Sequence, residues 1–132
     1  MKKAGMVSIN PPYTTMIFNE EKDIEWRKTC LPFGRNYVYE TRKDGGCGMV
    51  VGWIEISGNH IYRRGDTVPG RYIRRGCVPI GGLRKYAGDG EKAKIVANFI
   101  GDLLLFDEPR PLSDFGLSRP PQSWCYVEVS EK

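Results

Sequence analysis

The sequence predicts one α+β domain, mainly β: a small and mostly antiparallel β-barrel of about six strands with short peripheral helices. Its length of 132 residues suits a single domain spanning residues 1–132. The 16 glycines and 9 prolines favour many short elements joined by turns over a helical bundle. Several short β-rich runs also follow one another, and a single small sheet of this kind removes its exposed edges by closing into a barrel.

The first part of the chain contains a strand, a helix and a second strand. Residues 6–9 form a short strand. An Asn-Pro-Pro sequence then starts a helix over residues 11–19, because Asn is a good N-cap and proline tolerates the first helical turn. Residues 23–28 alternate between apolar and charged, with Ile24 and Trp26 on one face, which predicts a half-buried strand.

The next two β-rich runs, residues 36–41 and 49–56, are predicted to pair as a hairpin. A polar stretch that contains Asp44 and Gly45 separates them, and an Asp-Gly pair between strands is a strong hairpin signal. Gly52 interrupts the second run, which indicates a bulge or a close approach of another backbone segment.

The last part of the chain supplies the remaining strands. Residues 95–106 are predicted to form a long strand that bends at Gly101. Residues 107–112 contain two prolines and are therefore expected to be a turn or an edge segment. Residues 124–129 are apolar enough to form the final strand.

Between these strands, residues 57–95 are expected to be an irregular basic excursion with short helices near residues 72–75 and 80–87. Residues 60–94 carry nine Lys or Arg side chains against three carboxylates, whereas the whole chain has a net charge of +4. A basic segment on a near-neutral body is typical of a protein with a polyanionic partner, although a solvated basic loop is an equally good explanation. The candidate nucleic-acid contacts are Arg63, Arg64, Arg71, Arg74, Arg75, Arg84 and Lys85.

The sequence gives no sign of a metal site, a cofactor or a membrane segment. The four cysteines form no Cys-x-x-Cys pair and there is one histidine, so a zinc site is not expected and the default is four free thiols. A Cys47–His60 catalytic dyad is open as an alternative, without a feature that supports it. The apolar runs are too short to cross a bilayer and no secretory signal forms, so we expect a soluble, cytoplasmic protein.

Several segments resemble the ASCH domain, a member of the PUA-like superfamily found in bacterial and phage proteins. Lys22, Glu25 and Arg27 fit its motif Gly-x-Lys-x-x-Glu-x-Arg after the first helix, with Glu20 in place of the glycine. The resemblance extends over nearly the whole chain except residues 57–95. Its other segments are Tyr37-Val38-Tyr39-Glu40, Val50-Val51-Gly52, Phe106-Asp107-Glu108-Pro109 and Pro121-Gln122-Ser123-Trp124.

This resemblance implies a PUA-like barrel whose cleft binds RNA or nucleotides. Some relatives are enzymes: one group removes an acyl group from N4-acetylcytidine with a Lys, a Thr and a Glu, and ribonuclease activity has been attributed to others. Lys22 falls on the Lys of that group, but Glu25 stands where its Thr would be. The chain therefore departs from the residue set of the deacylating relatives.

The residues themselves suggest how such a cleft could work. Glu25 and Arg27 are two apart on a strand and leave the same face, and Lys22 is close enough to join them. A carboxylate between two cations can accept from a base N–H while the cations bind phosphate or carbonyl oxygen. We therefore expect an RNA- or nucleotide-binding cleft beside a basic rim. Spacing alone favours a surface ion pair, and the resemblance to the ASCH domain reverses that preference.

The same trio could instead serve a small amidohydrolase or nuclease, with Glu25 as general base and Lys22 stabilising the oxyanion. An adaptor that binds a protein partner is a third hypothesis. The further candidate ligand-binding residues are Ser8, Tyr39, Gln122 and Ser123.

Overall fold

The computed structural model describes residues 2–130 and contains six strands and three short α-helices. Two short 3-10 turns, Lys43–Gly45 and Leu112–Phe115, complete the elements. In chain order they are β1 (Lys2–Ile9), α1 (Tyr13–Phe18), β2 (Ile24–Arg27), β3 (Gly34–Glu40), β4 (Met49–Arg63), α2 (Gly70–Gly76), α3 (Ile80–Ala87), β5 (Lys94–Arg110) and β6 (Trp124–Val129).

All six strands belong to one sheet in the order β2-β5-β4-β3-β1-β6. Four of the neighbouring pairs are antiparallel, and β1 pairs with β3 in parallel. The predicted mainly β class, with about six mostly antiparallel strands and peripheral helices, is therefore confirmed. The hairpin between β3 and β4 is also present as predicted.

Side chains join the two outer strands of the sheet, β2 and β6. Arg27, the last residue of β2, donates hydrogen bonds to the Ser8 carbonyl of β1 at 2.5 Å and to the Ser123 hydroxyl at 3.3 Å. The indole of Trp124 in β6 donates to the Thr29 hydroxyl at 3.4 Å. These contacts connect the two edges of the sheet. The end of β2 therefore lies beside the end of β1.

Three hydrophobic clusters hold the fold. The first packs Val7, Val38 and Ile54 of the sheet against Ile17 of α1. The second lies around Met6 and Tyr37 and is covered by Phe115. The third packs the β2 side chains Ile24 and Trp26 against Leu83 of α3. The third cluster therefore fixes α3 beside β2.

The two segments predicted to be irregular, residues 57–95 and 107–112, are shorter in the structure than predicted. Residues 57–63 continue β4 and pair with the start of β5, so the excursion is confined to residues 64–93, which include both predicted helices. Residues 107–110 belong to β5, where Arg110 pairs with Val50. Pro109 is tolerated because β2 covers β5 only from Val96 to Phe99, which leaves this end of β5 as an edge.

The predicted irregularity at Gly52 is confirmed. The β3–β4 register shifts between Val38 and Tyr39, whose partners are Gly52 and Val50. A Cβ atom on Gly52 would lie 2.1 Å from the Leu104 carbonyl oxygen. The glycine therefore permits both the bulge and the close approach of β5. The β4–β5 register also shifts next to Gly101, where a bend was predicted.

Glu40 fastens α1 and the β3–β4 loop to the sheet. Its carboxylate accepts hydrogen bonds from the Thr14 hydroxyl and from the Cys47 N–H at 3.0 Å. Burial raises the pKa of Glu40, but these two hydrogen bonds outweigh it and hold the pKa below the usual value. The folded state therefore gains stability from ionised Glu40 above the unfolded pKa and loses it as the pH falls through the folded pKa.

Accordingly, Glu40→Gln is expected to lower the free energy of unfolding by about 1 kcal/mol at pH 7, because an amide cannot accept both bonds as a carboxylate does. In urea denaturation, this difference should shrink as the pH is lowered through the acid range. Glu128→Gln, at an exposed position of β6, is the matched control. An equal loss at neutral and acid pH would contradict the assigned role of the charge.

Candidate functional site

A recess of about 510 Å³ opens where the ends of β1 and β2 meet helix α3. Most of the side chains around it are polar or aromatic. It is lined by Ser8, Ile9, Asn10, Tyr13, Lys22, Glu25, Trp26, Arg27, Thr41, Val78, Gly82, Leu83, Tyr86 and Gln122. The three residues of the sequence motif, Lys22, Glu25 and Arg27, are therefore brought together in one concavity.

Lys22 is the most deeply buried charged residue of the recess, with 2% of its surface exposed. Its ammonium group donates to the Ile24 carbonyl at 2.7 Å and the Gly76 carbonyl at 2.5 Å, and lies 3.7 Å from Glu25 Oε1. Burial lowers the pKa of Lys22, and the neighbouring Glu25 carboxylate opposes this by favouring the charged form. Lys22 thus links β2 to the end of α2 and leaves one proton facing Glu25.

Glu25 is buried between the two cations, at 6% exposure. Its Oε2 accepts a hydrogen bond from Arg27 Nε at 2.8 Å. Since Arg27 is itself bonded to the Ser8 carbonyl and the Ser123 hydroxyl, the guanidinium is fixed on three sides. The carboxylate is therefore held in one orientation, with Oε1 directed toward Lys22 rather than toward Arg27.

Asn98, which the sequence analysis missed, holds β2 in position from the neighbouring strand β5. It is fully buried in β5, pairs with Glu25 in the sheet, and donates to the Glu25 carbonyl at 3.2 Å. Its side-chain oxygen accepts the Leu31 N–H at 2.9 Å, which also anchors the loop after β2. A lone amide in the apolar run Val96–Ile100 was the available signal, since a buried polar side chain needs partners.

Two tyrosines, also missed from the sequence, form aromatic walls of the recess. The Tyr13 ring of α1 lies 5.3 Å from the Lys22 ammonium. Tyr86 of α3 is 45% exposed, and the Lys28 ammonium lies 5.1 Å from its ring. The recess thus combines aromatic faces, cations and a fixed carboxylate.

The remaining predicted ligand residues divide into two groups. Ser8 and Gln122 line the recess, and Ser123 contacts it through Arg27. The Ser8 hydroxyl donates to the Pro121 carbonyl at 2.7 Å, so it fixes the loop before β6. Tyr39 is buried in the second hydrophobic cluster and does not line the recess.

The seven basic residues predicted to contact nucleic acid lie outside the recess. Arg63, Arg64 and Arg84 line a second cavity of about 570 Å³, called here the basin, on another side of α3. Arg75 pairs with Asp23 at 2.8 Å and, like Arg71, stacks on Tyr72. Arg74 and Lys85 are exposed.

The structure shows neither a metal-binding cluster nor a disulfide bond within residues 2–130. Within that range, no group of three His, Cys, Asp or Glu side chains is placed to hold a metal ion. The four cysteines are unpaired. None of the described helices is long and apolar enough to span a membrane.

Comparisons with known proteins point to one fold. No protein-family model and no curated protein matches the chain. Among solved structures, the crystal structure of ASCH from Zymomonas mobilis is similar: 22% identity, a TM-score of 0.77, and coverage of 95% of this chain and 87% of that chain. A Tyr→Phe variant of the same protein also matches at 22% identity and a TM-score of 0.77, covering 96% of this chain and 91% of its own. The chain therefore has the fold of an ASCH domain.

Proposed function

We propose that the protein is an RNA- or nucleotide-binding module whose recess takes one base or nucleotide. The observation that carries the proposal is the buried Glu25 carboxylate, fixed by Arg27 and flanked by Lys22 in a lined recess. Such a carboxylate can accept from the exocyclic amine or ring N–H of a base. Arg27 has N–H groups beyond those bonded to Glu25, Ser8 and Ser123, and these can donate to a base carbonyl or a phosphate oxygen.

The size and walls of the recess support the same ligand class. A volume of about 510 Å³ lies within the range of small-molecule sites, which is roughly 300–1,000 Å³. Tyr13 and Tyr86 offer ring faces on which a planar base could stack. Asn10, Thr41 and Gln122 add uncharged polar groups at the wall. The resemblance of this chain to ASCH domains implies RNA or nucleotide binding. The fold shared with ASCH from Zymomonas mobilis agrees with this interpretation.

The test is calorimetric titration with the four ribonucleoside 5′-monophosphates and with a short single-stranded RNA. We expect binding of at least one of them, and at least tenfold weaker binding by Glu25→Gln, because the amide replaces a charged acceptor. Glu108→Gln, at an exposed position, should bind as the wild type does. If the wild type bound no nucleotide and no RNA at low salt, the proposal would fail.

Tyr86→Ala tests the stacking wall without disturbing the buried ion pair. Base–aromatic stacking contributes about 1–3 kcal/mol, so removing this ring should weaken binding about tenfold. The thermal unfolding midpoint should change little, because Tyr86 is 45% exposed. Tyr126→Ala, at a similarly exposed position outside the recess, is the control. Equal effects of the two substitutions would contradict a base site at Tyr86.

A small hydrolase or nuclease is the second candidate. It is favoured by the buried contact of 3.7 Å between the Lys22 ammonium and the Glu25 carboxylate in the recess, since buried charge pairs of this kind are common among catalytic groups. Glu25 would act as general base and Lys22 would stabilise the oxyanion. Incubation with acylated nucleosides and RNA should then give product that Glu25→Gln abolishes while the protein remains folded. Absence of product from the wild type would exclude turnover of these substrates.

A further inference from the structure

We infer that the basin beyond α3 binds the phosphates next to the nucleotide in the recess, so that the ligand is a single strand of at least two nucleotides. The inference rests on the proposed function and extends it from a base site to a strand path. The basin is lined by Tyr62, Arg63, Arg64, Gly65, Asp66, Thr67, Val68, Ile80, Leu83, Arg84, Ala87, Gly88, Asp89, Ala93, Lys94 and Ile95.

Helix α3 is the common wall of the two cavities. Gly82 and Tyr86 line the recess, Ile80 and Arg84 line the basin, and Leu83 lines both. An α-helix with its side chains is about 10–12 Å across. A strand seated in the recess would therefore meet the basin after crossing a single helix.

The cations of the basin are available to an external anion. The basin is lined by four cations and by two carboxylates, Asp66 and Asp89. Asp66 already accepts the Arg63 backbone N–H at 2.7 Å, so its carboxylate is partly committed to the turn. Among residues 2–130, the ion pairs within 4.0 Å involve Lys22, Glu25, Arg27, Asp23 and Arg75, and none includes Arg63, Arg64, Arg84 or Lys94.

Arg75, in the same segment, is an arginine whose charge is already compensated. Its guanidinium is paired with Asp23 and stacked on Tyr72 and Phe99. The Arg64 guanidinium, by contrast, has one hydrogen bond within residues 2–130, to the Asp89 backbone carbonyl at 3.2 Å, which orients the guanidinium without neutralising its charge. A pre-oriented, uncompensated guanidinium is suited to two-pronged binding of phosphate.

The apolar residues beneath these cations strengthen their effect. Tyr62, Leu83 and Ile95 are buried side chains of the third hydrophobic cluster and also line the basin. Charges beside such low-dielectric material attract an anion more strongly than charges fully surrounded by water. The basin therefore offers a phosphate group both charge and reduced screening.

The experiment compares mononucleotides with a single-stranded RNA of about eight nucleotides, which is within the usual size of such sites. Fluorescence anisotropy would be measured at several salt concentrations for the wild type and for Arg64→Ala/Arg84→Ala. We expect the RNA to bind tighter than any mononucleotide. The double variant should bind RNA roughly tenfold weaker, with a slope of log K against log salt reduced by about 0.7 per lost phosphate contact. Mononucleotide binding should be unchanged.

Arg35→Ala/Arg110→Ala is the matched control, since it removes the same charge from a separate groove that shares no residue with the recess or the basin. Equal weakening of RNA binding by both double variants would overturn the assignment of the basin. So would equal affinity for RNA and mononucleotide in the wild type, although the base site would then stand. A wild type that bound neither ligand would overturn the proposed function itself.

Discussion

Lys22→Ala is expected to lower the free energy of unfolding by about 3–5 kcal/mol, the usual cost of removing one partner of a buried ion pair. The Lys22 ammonium satisfies the carbonyls of Ile24 and Gly76 and faces Glu25, and alanine would leave all three groups without it. Lys22→Met keeps most of the side-chain volume and should cost less, because only the charge and the hydrogen bonds are lost. Urea denaturation measures both values.

The pH dependence of Lys22 separates its charge from its packing. Because burial lowers its folded pKa below 10.5, the unfolded chain binds more protons in the alkaline range below that value. Stability contributed by this group therefore rises with pH across that window. The stability of the wild type relative to Lys22→Met should accordingly increase from pH 8 toward pH 10. A constant difference over that range would contradict the desolvated state of the ammonium.

Gly76→Ala is expected to be the next most damaging change, with a loss of about 2–3 kcal/mol. A Cβ atom at this position would lie 1.9 Å from Trp26 Nε1, and a ring buried in the third cluster cannot move away freely. The substitution should also weaken nucleotide binding, because the Gly76 carbonyl holds Lys22 in place. Thermal unfolding and calorimetric titration measure the two effects.

Gly81→Ala is the control for this prediction, since it is also a glycine-to-alanine change but lies in α3 instead of α2. Nothing lies within 4 Å of its added Cβ, so alanine should stabilise α3 by about 0.5–1 kcal/mol through its higher helix propensity. Opposite signs for the two substitutions are expected. If Gly76→Ala were as stable as Gly81→Ala, the packing of α2 on Trp26 would be different from that described.

Local patterns were sufficient to predict several elements of this fold. The helix over residues 80–87 and the strand over residues 124–129 were predicted with the bounds that the structure has. The strand depends on a signal within a few residues, namely an apolar run after prolines. The approach of Glu25 and Arg27 was also predictable, because a strand places residues two apart on one face, and Lys22 lies just before the start of that strand.

Features that depend on contacts between distant parts of the chain could not be predicted from local sequence patterns. Ser57-Gly58-Asn59-His60 has turn-like composition, yet it continues β4 because β5 pairs with it over Ala97–Phe99. The role of α3 as a wall of the recess depends on Leu83 packing against β2, which joins residues far apart in the chain. Asn98 reaches Glu25 across the sheet in the same way.

A crystal structure of the protein with a short single-stranded RNA tests the central claim most directly. The account predicts one base in the recess, with a ring N–H or amine within hydrogen-bond distance of Glu25 Oε1 and the base against Tyr86. It also predicts a neighbouring phosphate in the basin near Arg64 or Arg84. An RNA found instead in the groove lined by Arg35 and Arg110, with the recess empty, would contradict it.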